Sequence, residues 1–136
     1  MNLKNYFCEQ KGIGVLSTAD AEGRVDAAIF ARPQVMPDGS LAMIMRDRLT
    51  HKNLQENPYS VYLFIENTAG YQGVRLFLKK IREDDDPELI QEMTRRSLSP
   101  QEDQAKGPKF IVYFAVEKIL QLIGDSEPES GCQAAP

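Results

Sequence analysis

Residues 30–64, FARPQVMPDGSLAMIMRDRLTHKNLQENPYSVYLF, decide the fold, because two apolar strands here bracket a short helix that starts among basic side chains. Pro37-Asp38-Gly39 is a turn, residues 41–45 (LAMIM) form a strand, and residues 60–66 form another, rich in Val, Tyr, Phe and Ile. Between them Thr50 is suited to an N-cap, with Leu49 and Leu54 spaced as a hydrophobic staple, and Asn57-Pro58 stops the helix. The first backbone N–H groups of such a helix lie open at the positive end of its dipole. Arg46, Arg48 and Lys52 crowd that end against the single acid Asp47, in a chain whose net charge is −4. The local contrast points to a small anion, with phosphate the natural ligand. The plain alternative is that Thr50 only caps and that the three cations are solvated surface charges.

Working outward, Leu3, Tyr6 and Phe7 stand at helical spacing, and Gly12 is placed to end a short opening helix. Residues 13–18 and 25–32 are apolar runs joined by Asp20-Ala21-Glu22-Gly23, the pattern of an antiparallel hairpin. Downstream, residues 67–70 turn and residues 71–81 alternate, with Val74, Leu76 and Leu78 on one face and Arg75 and Lys79 on the other. The acidic run through Glu83, Asp84, Asp85, Asp86 and Glu88 could hold a metal, but Asp86-Pro87 is also a standard helix start that acids favour. Leu89, Ile90 and Met93 are the inner face of that helix, which is expected to end near Ser97 before a loop containing Pro100, Gly107 and Pro108. Residues 110–123 read as a final strand buried on both faces in its first half, and residues 124–136 as a disordered tail. The pattern predicts a mainly β chain: one domain over residues 1–123, built as a six-stranded antiparallel barrel, closed or partly closed, with short helices.

Composition narrows the function. The chain has 136 residues, enough for one sizeable core, and Lys and Arg are outnumbered by Asp and Glu 16 to 20, which disfavours a nucleic-acid binder. No apolar run approaches the roughly 20 residues of a membrane span, and the first residues lack a signal-peptide pattern, so a cytoplasmic location is expected. Two cysteines, Cys8 and Cys132, make no disulfide framework and read as reduced thiols. His51 is the single histidine and reads as solvated or capping at the start of its helix, so a zinc site or a Ser-His-Asp triad has little to draw on. Gly12-Ile13-Gly14 precedes a strand and so is no dinucleotide fingerprint. A barrel with an anion site and no nucleophile or metal set suits a bound cofactor that carries the chemistry.

The ordered set GVLSTADAEGRVDAAIFARP, PDGSLAMIM, THKNLQENP and VYLF resembles the pyridoxamine 5′-phosphate oxidase-like, split-barrel FMN-binding family. The likeness covers roughly residues 3–82 and, more weakly, 109–123. It implies a homodimer of six-stranded split barrels with FMN at the subunit interface. By position, Arg32 and Pro33 would line the flavin and ribityl chain, Met45 and Arg46 would lie beside the isoalloxazine and phosphate, and Thr50, Lys52 and Asn53 would form the phosphate-binding helix start. Gln72 falls near a polar position that approaches the flavin in some members. The chain departs from the pattern at Thr50, where the family carries a phosphate Lys, and near Leu78, where it carries a Gly. It also lacks an extension like the one that binds the pyridoxine ring, so vitamin B6 oxidation is not implied. The expected function is a small FMN-dependent oxidoreductase or electron carrier exchanging electrons with a small-molecule donor or acceptor. The alternative is a non-catalytic dimeric module or sensor for a flavin-like or haem ligand. Tyr59, Tyr62, Phe64, Phe110, Tyr113 and Phe114 exceed what one small barrel is expected to enclose, which independently argues for a partner copy.

Overall fold

The computed structural model describes residues 1–94 and 106–128. Helix α1 (Leu3–Glu9) is capped by the Asn2 side chain accepting from Asn5 N–H, and it ends at Gln10. Gly12 therefore does not terminate the helix: it opens strand β1 (Gly12–Ala19). The hairpin to β2 (Val25–Phe30) closes as its turn residues require, with Gly23 at a φ of 81° and the Asp20 carboxylate accepting from Glu22 and Arg24 N–H. β4 (Leu41–Arg46) leads into α2 (Leu49–Glu56), then β5 (Tyr59–Glu66), β6 (Gly73–Asp84), α3 (Pro87–Met93) and β7 (Lys109–Gln121).

With the short β3 (Gln34–Val35), all strands join one antiparallel sheet in the order β2-β1-β5-β6-β7-β4-β3, curled into a half-barrel. There are seven strands where six were expected, because Gln34–Val35 forms a short β3 that pairs Gln34 with Ala42 and Val35 with Leu41. Pro33 divides this piece from β2, since it has no N–H to give a ladder. The expected helix end near Ser97 and the loop at Pro100 lie outside the described residues; α3 itself spans Pro87–Met93 with Asp86 as its cap. Residues 124–128, read as tail, fold back on β7, where Gln121 N–H donates to Ser126 O at 2.9 Å. Residues 129–136 lie outside the described residues.

The barrel core gathers Leu16, Leu41, Tyr62, Phe64, Leu76, Leu78, Val112 and Phe114, and α1 plugs it with Tyr6 and Phe7. Both rings meet Phe64 edge-on, at centroid distances of 6.0 and 5.4 Å. A second cluster of Ala42, Ile111, Tyr113 and Ile90 lies between the sheet and α3. Strand β7 is therefore buried on both faces from Ile111 to Phe114, as its unbroken apolar run implies. This packing corrects the argument from excess aromatics: Tyr62, Phe64, Tyr113 and Phe114 are all buried within one chain, and only Tyr59 is exposed.

Candidate functional site

A cleft of about 420 Å³ opens beside β4. Its walls are the end of β2 and the following residues through Arg32, the strand from Ala42 to Arg46, the end of α3 at Met93 and Thr94, and Lys106 and Lys109. Local chemistry holds each wall. The Arg32 guanidinium donates through Nη1 to Phe7 O at 2.7 Å and Gln10 O at 2.8 Å, satisfying carbonyls that α1 leaves open at its C-terminus. Arg46 donates to Gly107 O at 2.8 Å and Arg48 to Lys106 O at 3.1 Å, which stitches the chain before β7 to the end of β4. Arg46 and Lys109 face each other across the β4–β7 ladder. On the α3 side Gln34 Nε2 donates to Met93 O at 2.7 Å, and the Thr94 hydroxyl to Ile90 O at 2.6 Å. Among the described lining residues there are four cations, Arg32, Arg46, Lys106 and Lys109, and no carboxylate; Ile29, Phe30, Ile44 and Met93 supply apolar wall. Such a cleft can hold an anion at one side and a flat apolar body at the other.

Of the residues singled out from the sequence, Arg32, Met45 and Arg46 line this cleft. The Met45 side chain belongs to the barrel core. Pro33 is buried beside the lining and forms no part of it. Thr50, Lys52 and Asn53 sit on α2 and do not line the cleft; Lys52 is exposed, and Asn53 Nδ2 donates to Thr18 Oγ1 at 3.1 Å in the interior. The N-cap of α2 is Arg48, with no side-chain capping bond, so Thr50 lies inside the helix and the expected cap is not formed. Leu49 likewise is helical and exposed instead of stapling the start. Gln72 is exposed in the turn before β6, where its carbonyl accepts from Glu66 N–H at 2.8 Å. Lys106, Lys109, Gln34 and Met93 were not foreseen. Only the β4–β7 register reveals Lys109, although its neighbours Gly107-Pro108 mark a turn that returns the chain to the sheet.

His51 is buried, against its solvated reading. Its ring stacks on Phe110 at 4.1 Å, Nδ1 lies 3.2 Å from Asp47 Oδ1, and Nε2 lies 3.1 Å from Glu83 Oε2. Gln55 Nε2 also approaches Nε2 of His51, at 3.1 Å. Burial opposes ionisation of Glu83, but hydrogen bonds from Lys80, Gln55 and His51 outweigh it and hold the carboxyl down at about 2. Among the described residues no group of three or more His, Cys, Asp or Glu side chains is placed to bind a metal ion, the acidic run before α3 included. No described helix is long and apolar enough to cross a membrane.

No protein-family description matches the chain, and no curated protein does. Solved structures do. An FMN-binding protein from Syntrophomonas wolfei subsp. wolfei superposes with a TM-score of 0.69 at 18% identity, covering 89% of this chain and 84% of that one. HupZ from Group A Streptococcus gives 0.67 at 16% identity, covering 93% and 96%. An F420 reductase gives 0.63 at 15% identity, covering 85% and 94%. The fold is the split barrel shared by these proteins and by pyridoxamine 5′-phosphate oxidase-like structures, as the sequence resemblance implies.

Proposed function

We propose that the chain is an FMN-binding split-barrel flavoprotein that seats the cofactor in the cleft beside β4. The observation that carries this reading is the cleft itself, which Arg32, Arg46, Lys106 and Lys109 line together with apolar side chains. Arg46, steadied by Gly107 O, and Lys109, opposite it on β7, are the phosphate partners; Ile29, Phe30 and Ile44 border the space for a ring system. When bound, the flavin supplies hydride or electron transfer. The chain's part is to anchor the phosphate, orient the ring and exclude water. Among the described lining residues there is no His, Cys, Ser, Asp or Glu, which fits a site whose chemistry belongs to its ligand.

The cleft also borders a second surface. On the outer face of the sheet, Ile29 of β2 lies opposite Val15 of β1, and Val15 opposite Leu63 of β5; Ile13 pairs with Ile65 beside them. Ile29 and Val25 are 77% and 82% exposed, which leaves an apolar face for a partner to cover. Because Ile29 belongs to both this face and the cleft, a second copy packed there would close the cleft with its own residues. A homodimer with two shared sites is the assembly that follows.

The test is direct. Purified protein should quench the fluorescence of added FMN, and Arg46→Ala or Lys109→Ala should weaken FMN by about 1.5–3 kcal/mol while leaving riboflavin, which lacks the phosphate, nearly unaffected. Equal loss for both ligands would remove the phosphate assignment. No quenching by wild-type protein, with a different chromophore seen in its absorption spectrum, would replace FMN by a deazaflavin or haem. Binding without NAD(P)H oxidation would favour a non-catalytic module.

A further inference from the structure

Residues 30–32 form one wall of the cleft where β2 ends at Phe30 and the chain runs on irregularly towards β3. Ala31 lies beyond the β1–β2 ladder, whose last pair is Gly14 with Phe30. A wall made of irregular chain holds its shape only if its polar groups are tied down. Two side chains do this from inside the molecule. Arg32 fastens one end to the carbonyls of Phe7 and Gln10. The other tie is less expected. Tyr62 stands on β5, two strands away from β2, with its side chain fully buried in the barrel core. Its hydroxyl nevertheless reaches across β1 to Phe30 O at 3.2 Å and Ala31 O at 3.1 Å.

The reach depends on Gly14. Leu16, not Gly14, is the direct partner of Tyr62 in the β1–β5 register, so the ring leans diagonally along the sheet and passes over Gly14. A Cβ at position 14 would overlap the Tyr62 hydroxyl and the ring carbons that carry it. The missing side chain of β1 thus forms the slot through which a core residue supports the cleft wall. Nothing in the barrel's apolar packing needs that hydroxyl, since a Phe would fill the same volume.

We infer that Tyr62 is a positioning residue for the cleft, its hydroxyl passing through the Gly14 slot to fix the backbone of residues 30–32 for ligand binding. The inference rests on the cleft being the ligand site, but its structural half stands without any ligand. Tyr62→Phe removes the oxygen and keeps the ring, so the variant should fold.

The experiment combines 15N relaxation on ligand-free protein with FMN titration. In Tyr62→Phe the backbone amides of Ala31 and Arg32 should lose order, while those of Leu76 and Phe64 in the same core keep theirs. FMN should bind about tenfold more weakly. Replacing residue 62 by 4-aminophenylalanine, which restores a donor at the same place, should recover both readings. Unchanged order at residues 31 and 32, or loosening spread evenly through the core, would overturn the inference, as would local loosening with unaltered FMN affinity. If wild-type protein binds no FMN, the flavin reading fails separately, and the relaxation pattern with its rescue still decides whether Tyr62 fixes this wall.

Discussion

Glu83 shows how much one set of contacts on a half-buried carboxylate can weigh. Its carboxyl accepts from Lys80 Nζ at 2.6 Å and from Gln55 at 2.8 Å, and faces His51 at 3.1 Å. Because its folded pKa of about 2 lies below its ordinary 4.5, the stability it contributes is fully present above pH 4.5 and is lost as pH falls towards 2. Glu83→Gln should cost about 1–2 kcal/mol at neutral pH. Urea denaturation at a series of pH values should show the gap to wild type closing between pH 4.5 and 2; a gap independent of pH would mean that the charge is immaterial. Ser60 is the opposite case. It is buried, and its hydroxyl finds no hydrogen-bond partner among the described residues. Ser60→Ala should therefore be neutral or stabilising by up to about 1 kcal/mol, read as the shift in denaturation midpoint. Neither role was legible in the sequence. His51, Asn53 and Thr50 are buried polar residues on the inner face of α2, and an inner face with Leu54 as its only buried apolar residue leaves no hydrophobic period to detect.

Elements whose boundaries are set by local chemistry were readable, and those set by distant contacts were not. Asp86-Pro87 starts α3 because the Asp side chain accepts from Glu88 N–H and Pro has no N–H to leave unpaired. Asp86→Ala should cost about 1 kcal/mol in thermal or chemical unfolding, and the loss should centre on the cluster of Ile90, Ile111 and Tyr113 that α3 covers. No change in stability would show that packing alone holds this helix. The start of α2 was misplaced for the converse reason. Arg48 caps it with no side-chain bond, and its guanidinium is spent on Lys106 O, a contact between segments far apart in the chain. β3 escaped notice because two residues carry no alternation, and only pairing with β4 makes them a strand. The cleft inherits the same asymmetry. Arg32 and Arg46 were visible as cations at strand ends, whereas Lys106 and Lys109 reach it only after β7 has paired with β4.

At the scale of the molecule, the aromatic residues point to the wrong surface for a partner, because most of them are buried within one chain. Tyr62, Phe64 and Phe114 fill the barrel and Tyr113 packs under α3, while the exposed apolar side chains of β2 and β1 are aliphatic: Val25, Ile29 and Ile13. β2 is also an edge strand, and an apolar edge without a partner invites uncontrolled pairing. In the proposed homodimer, a twofold contact through this face would bury Val25 and Ile29 and bring a second chain to the rim of the cleft that Ile29 lines. The face is therefore expected to act in assembly and in ligand binding together. Wild-type protein should sediment at equilibrium as a species of twice 15.3 kDa at micromolar concentration. Ile29→Lys, which places a charge in the middle of the face and touches none of the core, should give a folded monomer with an unchanged circular dichroism spectrum. If the partner completes the cleft, FMN affinity in this variant should rise with protein concentration as the dimer re-forms. A monomeric wild type that binds FMN one to one would remove the shared site and leave the cleft of a single chain as the whole of it.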